Sequence, residues 1–139
     1  PLPGIGELYP ILVPTVGSDG NEIGGIKTPH VRVPVATYTG WNYPSDSFQG
    51  VDRTRATRLS GAWLPFSASS AERRKHGDDR MSLGERYGNL EEYLSQLTKA
   101  AEDLISQRLM FSEDLELVLK QGEAMYTYVA EKWKFREFN

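Results

Sequence analysis

His30 and His76 are the only two imidazoles in the 139-residue chain, and histidine is the usual general base of hydrolytic chemistry. His30 follows Pro29 and precedes Val31. It could serve a nucleophile supplied by another part of a larger protein, which makes it the one catalytic candidate. Its plainer reading is an exposed residue where a strand begins. His76 ends Arg73-Arg74-Lys75-His76, ahead of Gly77. Cations suit the negative end of a helix dipole and glycine can stop the helix, so this histidine reads as a helix terminus. The two imidazoles are far apart and lack acidic neighbours at ligand spacing, so neither a metal nor another cofactor is expected.

A hydrolase built on a strand–turn–helix elbow needs Gly-x-Ser-x-Gly, because the glycines allow the strained turn that exposes the hydroxyl. Val16-Gly17-Ser18-Asp19-Gly20 comes nearest, but Val16 stands where the first glycine belongs and no helical pattern follows. We read it as a polar hairpin turn. Asp19 and Glu22 resemble fragments of a calcium loop, without the alternating oxygen ligands and closing glutamate. The absence of cysteine removes thiolate chemistry.

The aromatic residues Tyr38, Trp41, Tyr43, Phe48 and Trp63 could wall a pocket for an apolar or sugar-like ligand. Tyr38, Trp41, Tyr43 and Trp63 are the ligand-binding candidates; the competing reading is that these rings pin a long loop to the core. Arg53, Arg55 and Arg58 could bind an anion or form a solvated, ion-paired face.

These residues are set among elements of two kinds. Val31, Val33 and Val35 alternate with Arg32, Pro34 and Ala36, the period-2 pattern of a half-buried strand running on toward Gly40-Trp41-Asn42. Pro34 makes it an edge or bulged strand. Pairing Val31–Val35 with Tyr9–Val13, within a segment Glu7–Val16 that Pro10 and Pro14 interrupt, gives a β-hairpin or arch. From Ser69 onward the pattern is helical. Ser69/Glu72, Ser82/Glu85 and Asn89/Glu92 each place a capping residue three positions before a glutamate. They predict helices over Ala71–His76, Leu83–Tyr87 and Leu90 to about Leu109, with Ser112 capping a last one. Leu90, Tyr93, Leu94, Leu97, Ala101, Leu104 and Ile105 form one apolar stripe. Leu115, Val118, Leu119, Gly122, Met125, Tyr126, Val129 and Trp133 form its antiparallel partner. The expected class is α+β: a β region over 1–42, an irregular aromatic-rich stretch over 43–68, and a helical region over 69–139. Starting at Pro1, the chain reads either as a single domain or as the C-terminal piece of something longer.

Sixteen basic against nineteen acidic residues give a net charge of −3, without the cationic excess a nucleic-acid binder needs. No apolar run approaches the roughly 18–20 residues of a membrane span. The chain is expected to be soluble; no targeting signal fixes its compartment.

Several phrases occur in order: Tyr9-Pro-Ile-Leu-Val-Pro, Asp19-Gly-Asn-Glu, Gly25-Ile-Lys, Val33-Pro-Val-Ala-Thr-Tyr-Thr-Gly-Trp-Asn42, Ala71-Glu-Arg-Arg and Ser82-Leu-Gly-Glu-Arg-Tyr-Gly88. Together they resemble the C-terminal region of a bacterial group of α/β-hydrolase-domain proteins. The resemblance implies a serine hydrolase acting on ester bonds, with the elbow serine upstream and this chain supplying sheet-edge strands, part of a substrate wall and a helical cap. Its implied partners are an upstream hydrolase core or another copy of the chain, with a small apolar ester as ligand. The alternative is an autonomous, non-catalytic binding module using the aromatic stretch.

Overall fold

Three polar residues set where the helices of the second half begin. The computed structural model describes residues 14–42 and 61–132. In it, Ser69 accepts the Glu72 N–H at 3.3 Å and opens α2 (Ser70–Lys75). Ser82 and Glu85 form a reciprocal capping box at the head of α3 (Leu83–Tyr87), the Glu85 carboxylate accepting the Ser82 N–H at 2.9 Å. Asn89 accepts the Glu92 N–H at 2.9 Å and opens α4 (Leu90–Ser106). Each such cap contributes about 1 kcal/mol.

The expected end of α4 at about Leu109 is three residues too far. Arg108 takes a left-handed conformation (φ 60°), and the Leu109 N–H bonds back to the Leu104 carbonyl at 2.9 Å. This C-terminal lock satisfies the last carbonyls and stops the helix. Ser112 likewise does not cap the next helix: Ser112–Asp114 form a 3-10 turn that leads into α5 (Leu115–Thr127), which closes as a π-helical turn over Tyr128–Lys132.

Tyr93, Leu97, Ala101 and Leu104 of the predicted stripe are buried, as are Gly122, Tyr126 and Val129 of its partner; Trp133 lies outside the described residues. Moving along α4 from Tyr93 to Leu97, the facing residue in α5 goes back from Tyr126 to Gly122, so the two helices run antiparallel.

The first half departs further from the sequence pattern. Pro29–Arg32 is not a strand but a helical turn, α1, with the Val31 and Arg32 N–H groups both bonded to the Thr28 carbonyl at 3.0 Å. Pro29 at its first position has a φ already suited to a helix, and this outweighs the valine alternation. The strand is only β1 (Ala36–Tyr38), beyond Pro34. It pairs antiparallel with β2 (Trp63–Pro65) in the register Ala36–Pro65, Thr37–Leu64, Tyr38–Trp63. The expected pairing of Val31–Val35 with Tyr9–Val13 is therefore corrected on the valine side, while 9–13 lie outside the described residues. Trp63–Pro65, taken as irregular, is strand; 43–60 lie outside the described residues. The α+β class holds, with a two-stranded sheet and a helical second half.

Gly122 sets how closely α5 approaches α4. A Cβ there would sit 2.2 Å from Leu97 Cδ2 and 3.2 Å from the Tyr93 hydroxyl, and both residues are fully buried. Alanine favours the helix by about 1 kcal/mol, but overpacking costs about 1–3 kcal/mol. Gly122→Ala is expected to lower stability in urea denaturation, and in a Leu97→Ala background the same change is expected to become neutral or stabilising. Destabilisation of equal size in both backgrounds would show that this contact does not set the helix spacing.

Candidate functional site

The two faces of the sheet lead to different surroundings. Thr39 and Phe66 donate their N–H groups across the ladder to Ala62 and Val35 at 3.0 Å. Alternation then makes Ala36–Pro65 and Tyr38–Trp63 the closer, non-hydrogen-bonded pairs. Pro65 is tolerated because its missing N–H points away from β1.

Tyr38 and Trp63, both ligand-binding candidates, thus meet directly across the strands. Their face turns to the helices, where the Trp63 ring centroid lies 5.9 Å from that of Tyr128. Burial raises the Tyr38 phenol pKa, with the Trp63 indole acting in the opposite direction. Trp41 sits beyond the end of β1 and is 45% exposed, its carbonyl accepting the Thr39 hydroxyl at 2.5 Å. Tyr43, Phe48 and the three arginines Arg53, Arg55 and Arg58 lie outside the described residues. Tyr38, Thr39 and Gly40 line a groove of about 340 Å³ together with Ile26, Lys27 and Val31.

His30 is not at the start of a strand. It lies half-buried in α1, which packs on α4 and α5. Both ring nitrogens are shielded from solvent without a well-formed hydrogen bond. Burial lowers its pKa, and the Gln121 side chain acts the other way. His76 is the C-cap residue of α2, its N–H bonded to the Glu72 carbonyl, and Gly77 follows at φ 63°, as the sequence implied. Val16–Glu22 is a small hairpin: the Gly17 N–H reaches the Asn21 carbonyl at 2.8 Å, and Val16 bridges to Glu22. Ser18 occupies its turn. Among the described residues no group of three or more histidine and acidic side chains could hold a metal ion, and no helix is long and apolar enough to cross a membrane.

Among the described residues, a dense polar constellation centred on Arg80 is one that sequence reasoning missed. Arg80 uses all five guanidinium N–H groups. Nε and Nη2 form a fork on Asp78 at 2.9 and 2.8 Å; Nη1 reaches the Thr37 hydroxyl at 2.8 Å and the Leu64 carbonyl at 2.9 Å; Nη2 also reaches the Pro65 carbonyl at 3.2 Å. Thr37 in turn donates its hydroxyl to the Asp19 carbonyl. Asn21, 5% exposed, donates its amide to the Ala36 carbonyl at 3.1 Å and accepts the Tyr38 N–H at 2.8 Å, occupying the outer edge of β1 as a neighbouring strand would. Gly20 (φ 77°) is required here, since a Cβ would lie 2.8 Å from Thr37 Cγ2. Beneath the network lies the buried Phe66 ring, with the Arg86 and Arg80 guanidinium carbons 4.4 and 5.2 Å from its centre. Arg86 also faces Asp19 at 3.7 Å. Three separated phrases, Asp19–Glu22, Val33–Tyr38 and Ser82–Tyr87, therefore converge on one place. The only local signal was the Asp78-x-Arg80 spacing, which by itself resembles an ordinary solvated charge pair.

Burial would raise the Asp78 carboxyl, but the side-chain and backbone hydrogen bonds from Arg80 and its charge hold it below the usual carboxylate range. The Asp78 side chain is 9% exposed, so removing its fork leaves a largely buried carboxylate with the Arg80 backbone N–H and the more distant Arg73 charge. Arg80→Met is expected to cost on the order of 3 kcal/mol in urea denaturation. Arg80→Lys should recover little, because a single ammonium cannot span these acceptors at once. Full recovery with lysine would show that charge alone suffices.

Glu85 binds Arg73 at 2.7 and 3.0 Å while holding the capping box. The Arg73 hydrogen bond, followed by the Ser82 hydroxyl and backbone, brings its pKa from the usual 4.5 to about 2. A depressed folded pKa gives stability that is present above pH 4.5 and lost as pH falls toward 2. Arg73→Met is expected to flatten the acid limb of a stability–pH profile across that interval, with little change in its shape near neutrality. An unchanged acid limb would place the effect on other carboxylates.

In comparisons with known proteins, a family model described as an alpha/beta hydrolase domain matches residues 10–120. No curated protein and no solved structure matches.

Proposed function

Because the chain belongs to the alpha/beta hydrolase domain family, we propose that it is the C-terminal part of an ester-cleaving serine hydrolase. In this reading it contributes sheet-edge and cap structure and part of the substrate wall, while the nucleophile comes from an upstream core. The observation that carries this is the Val16–Glu22 hairpin. The one approximation to an elbow folds as a polar turn whose backbone is committed to a hairpin, with no helix behind Ser18 to present its hydroxyl. Tyr38, Trp41, Tyr43 and Trp63 are the proposed wall for a small apolar ester. His30 is the candidate base. Its lowered pKa favours the neutral ring, the form able to accept a proton.

One observation favours the second reading, an autonomous binding module. The outer edge of β1 is occupied by Asn21, and at the outer edge of β2 Pro65 has no N–H and its carbonyl is bonded to Arg80. These positions do not invite another strand, which the sheet-edge contribution of the hydrolase reading requires.

The test is to incubate the chain with short acyl esters and with a fluorophosphonate probe. Neither turnover nor covalent labelling is expected. Labelling that abolishes turnover would place the nucleophile within these 139 residues and overturn the proposal. Ligand-induced shifts in tryptophan emission without turnover, persisting when an upstream core is present, would favour the binding module.

A further inference from the structure

Among the described residues, the turn joining α4 to α5 carries the most exposed large apolar side chain, Phe111. Phe111 is 74% exposed and Leu109 46%, and with Ile105, Met110 and Arg108 they line a depression of about 610 Å³. Single exposed apolar residues need no explanation, but a contiguous set on a rigid turn marks an interaction surface. The turn is rigid because the Leu109 and Arg108 N–H groups lock onto the Leu104 and Ile105 carbonyls at 2.9 Å. It also keeps an arginine at a left-handed position where glycine would cost less.

Charge indicates what covers it. In chain order the turn reads cation, three apolar residues, serine, two anions: Arg108, Leu109, Met110, Phe111, Ser112, Glu113, Asp114. Among the described residues, neither the Arg108 guanidinium nor the Glu113 and Asp114 carboxylates form an ion pair. A turn that carries a cation at its start and two anions at its end, with apolar residues between them, is self-complementary. Turned about a two-fold axis, each Arg108 faces the acidic pair of the other copy while the Leu109–Phe111 centres meet, as an isologous contact requires. We propose that the α4–α5 turn is a self-association surface that seats a second copy of this chain.

Sedimentation equilibrium of the full chain over a wide concentration range tests this. A monomer–dimer equilibrium is expected. Phe111→Ser should weaken it on the order of tenfold or more, as loss of a central aromatic anchor does. Arg108→Glu and a combined Glu113→Arg, Asp114→Arg variant should each dimerise more weakly alone, and their equimolar mixture should recover a mixed dimer. These side chains are exposed, and far-UV circular dichroism would verify that each variant keeps its helices. A chain that stays monomeric at its highest soluble concentration would overturn the proposal. So would a dimer unchanged by Phe111→Ser and Arg108→Glu, or a charge-reversed pair that fails to recover association.

Discussion

A single guanidinium holds the sheet in register with the segment that precedes the helices. Arg80 has five N–H groups in a fixed plane, and all five are satisfied, on Asp78, Thr37, Leu64 and Pro65. Two strands of three residues could not persist alone in water. What makes them viable is that β1 is held on every side: by β2, by Asn21 along its edge, by the Asp19 carbonyl through Thr37, and by Arg80 across both strands. The planar fork matters more than the charge, since it fixes direction as well as distance.

The opposite face of the sheet is held by different means. Tyr87, Tyr93 and Tyr126 form a ring cluster, Tyr93 stacked on Tyr126 at 5.0 Å and edge-on to Tyr87 at 5.1 Å. The Tyr87 hydroxyl donates to the Pro34 carbonyl at 2.7 Å, tying the α3–α5 layer to the chain two residues before β1. The sheet thus lies between a polar clamp and an aromatic layer. Tyr38 and Trp63, on the aromatic side, stand at the margin where the candidate wall begins. Their position depends on both layers, although neither layer contains a reacting group.

Legibility followed sequence distance. The caps Ser69, Ser82 and Asn89 and the stripes of α4 and α5 depend on residues three or four apart, and they appear where the pattern placed them. Pro29 was legible as a proline but was weighed as the companion of a strand; its fixed φ instead starts a helical turn, and the valines follow it. The partner of β1 lies beyond an intervening stretch of more than twenty residues, and nothing local in Trp63–Pro65 declares the register. Asn21 stands in the sequence only as part of the Asp19-Gly-Asn-Glu phrase. Its side chain does the further work of a missing strand, which no spacing rule anticipates. Of the candidate site, Tyr38 and Trp63 were named for their chemistry, but their pairing was a tertiary fact.

The distance between the two strands along the chain has a kinetic meaning. Bringing Ala36 to Pro65 closes a loop whose chain-entropy cost is roughly 3 kcal/mol, set against a ladder of only three residue pairs. The α4–α5 hairpin closes over a short turn and buries its stripe at once. Local contacts of that kind form early, while distant pairings wait for something to close upon. Arg80 and the Asp19–Asn21 turn are what the strands close upon, so the sheet is expected to form after the helical hairpin. The candidate wall at Tyr38 and Trp63 would then be completed only after the helices that back it have packed.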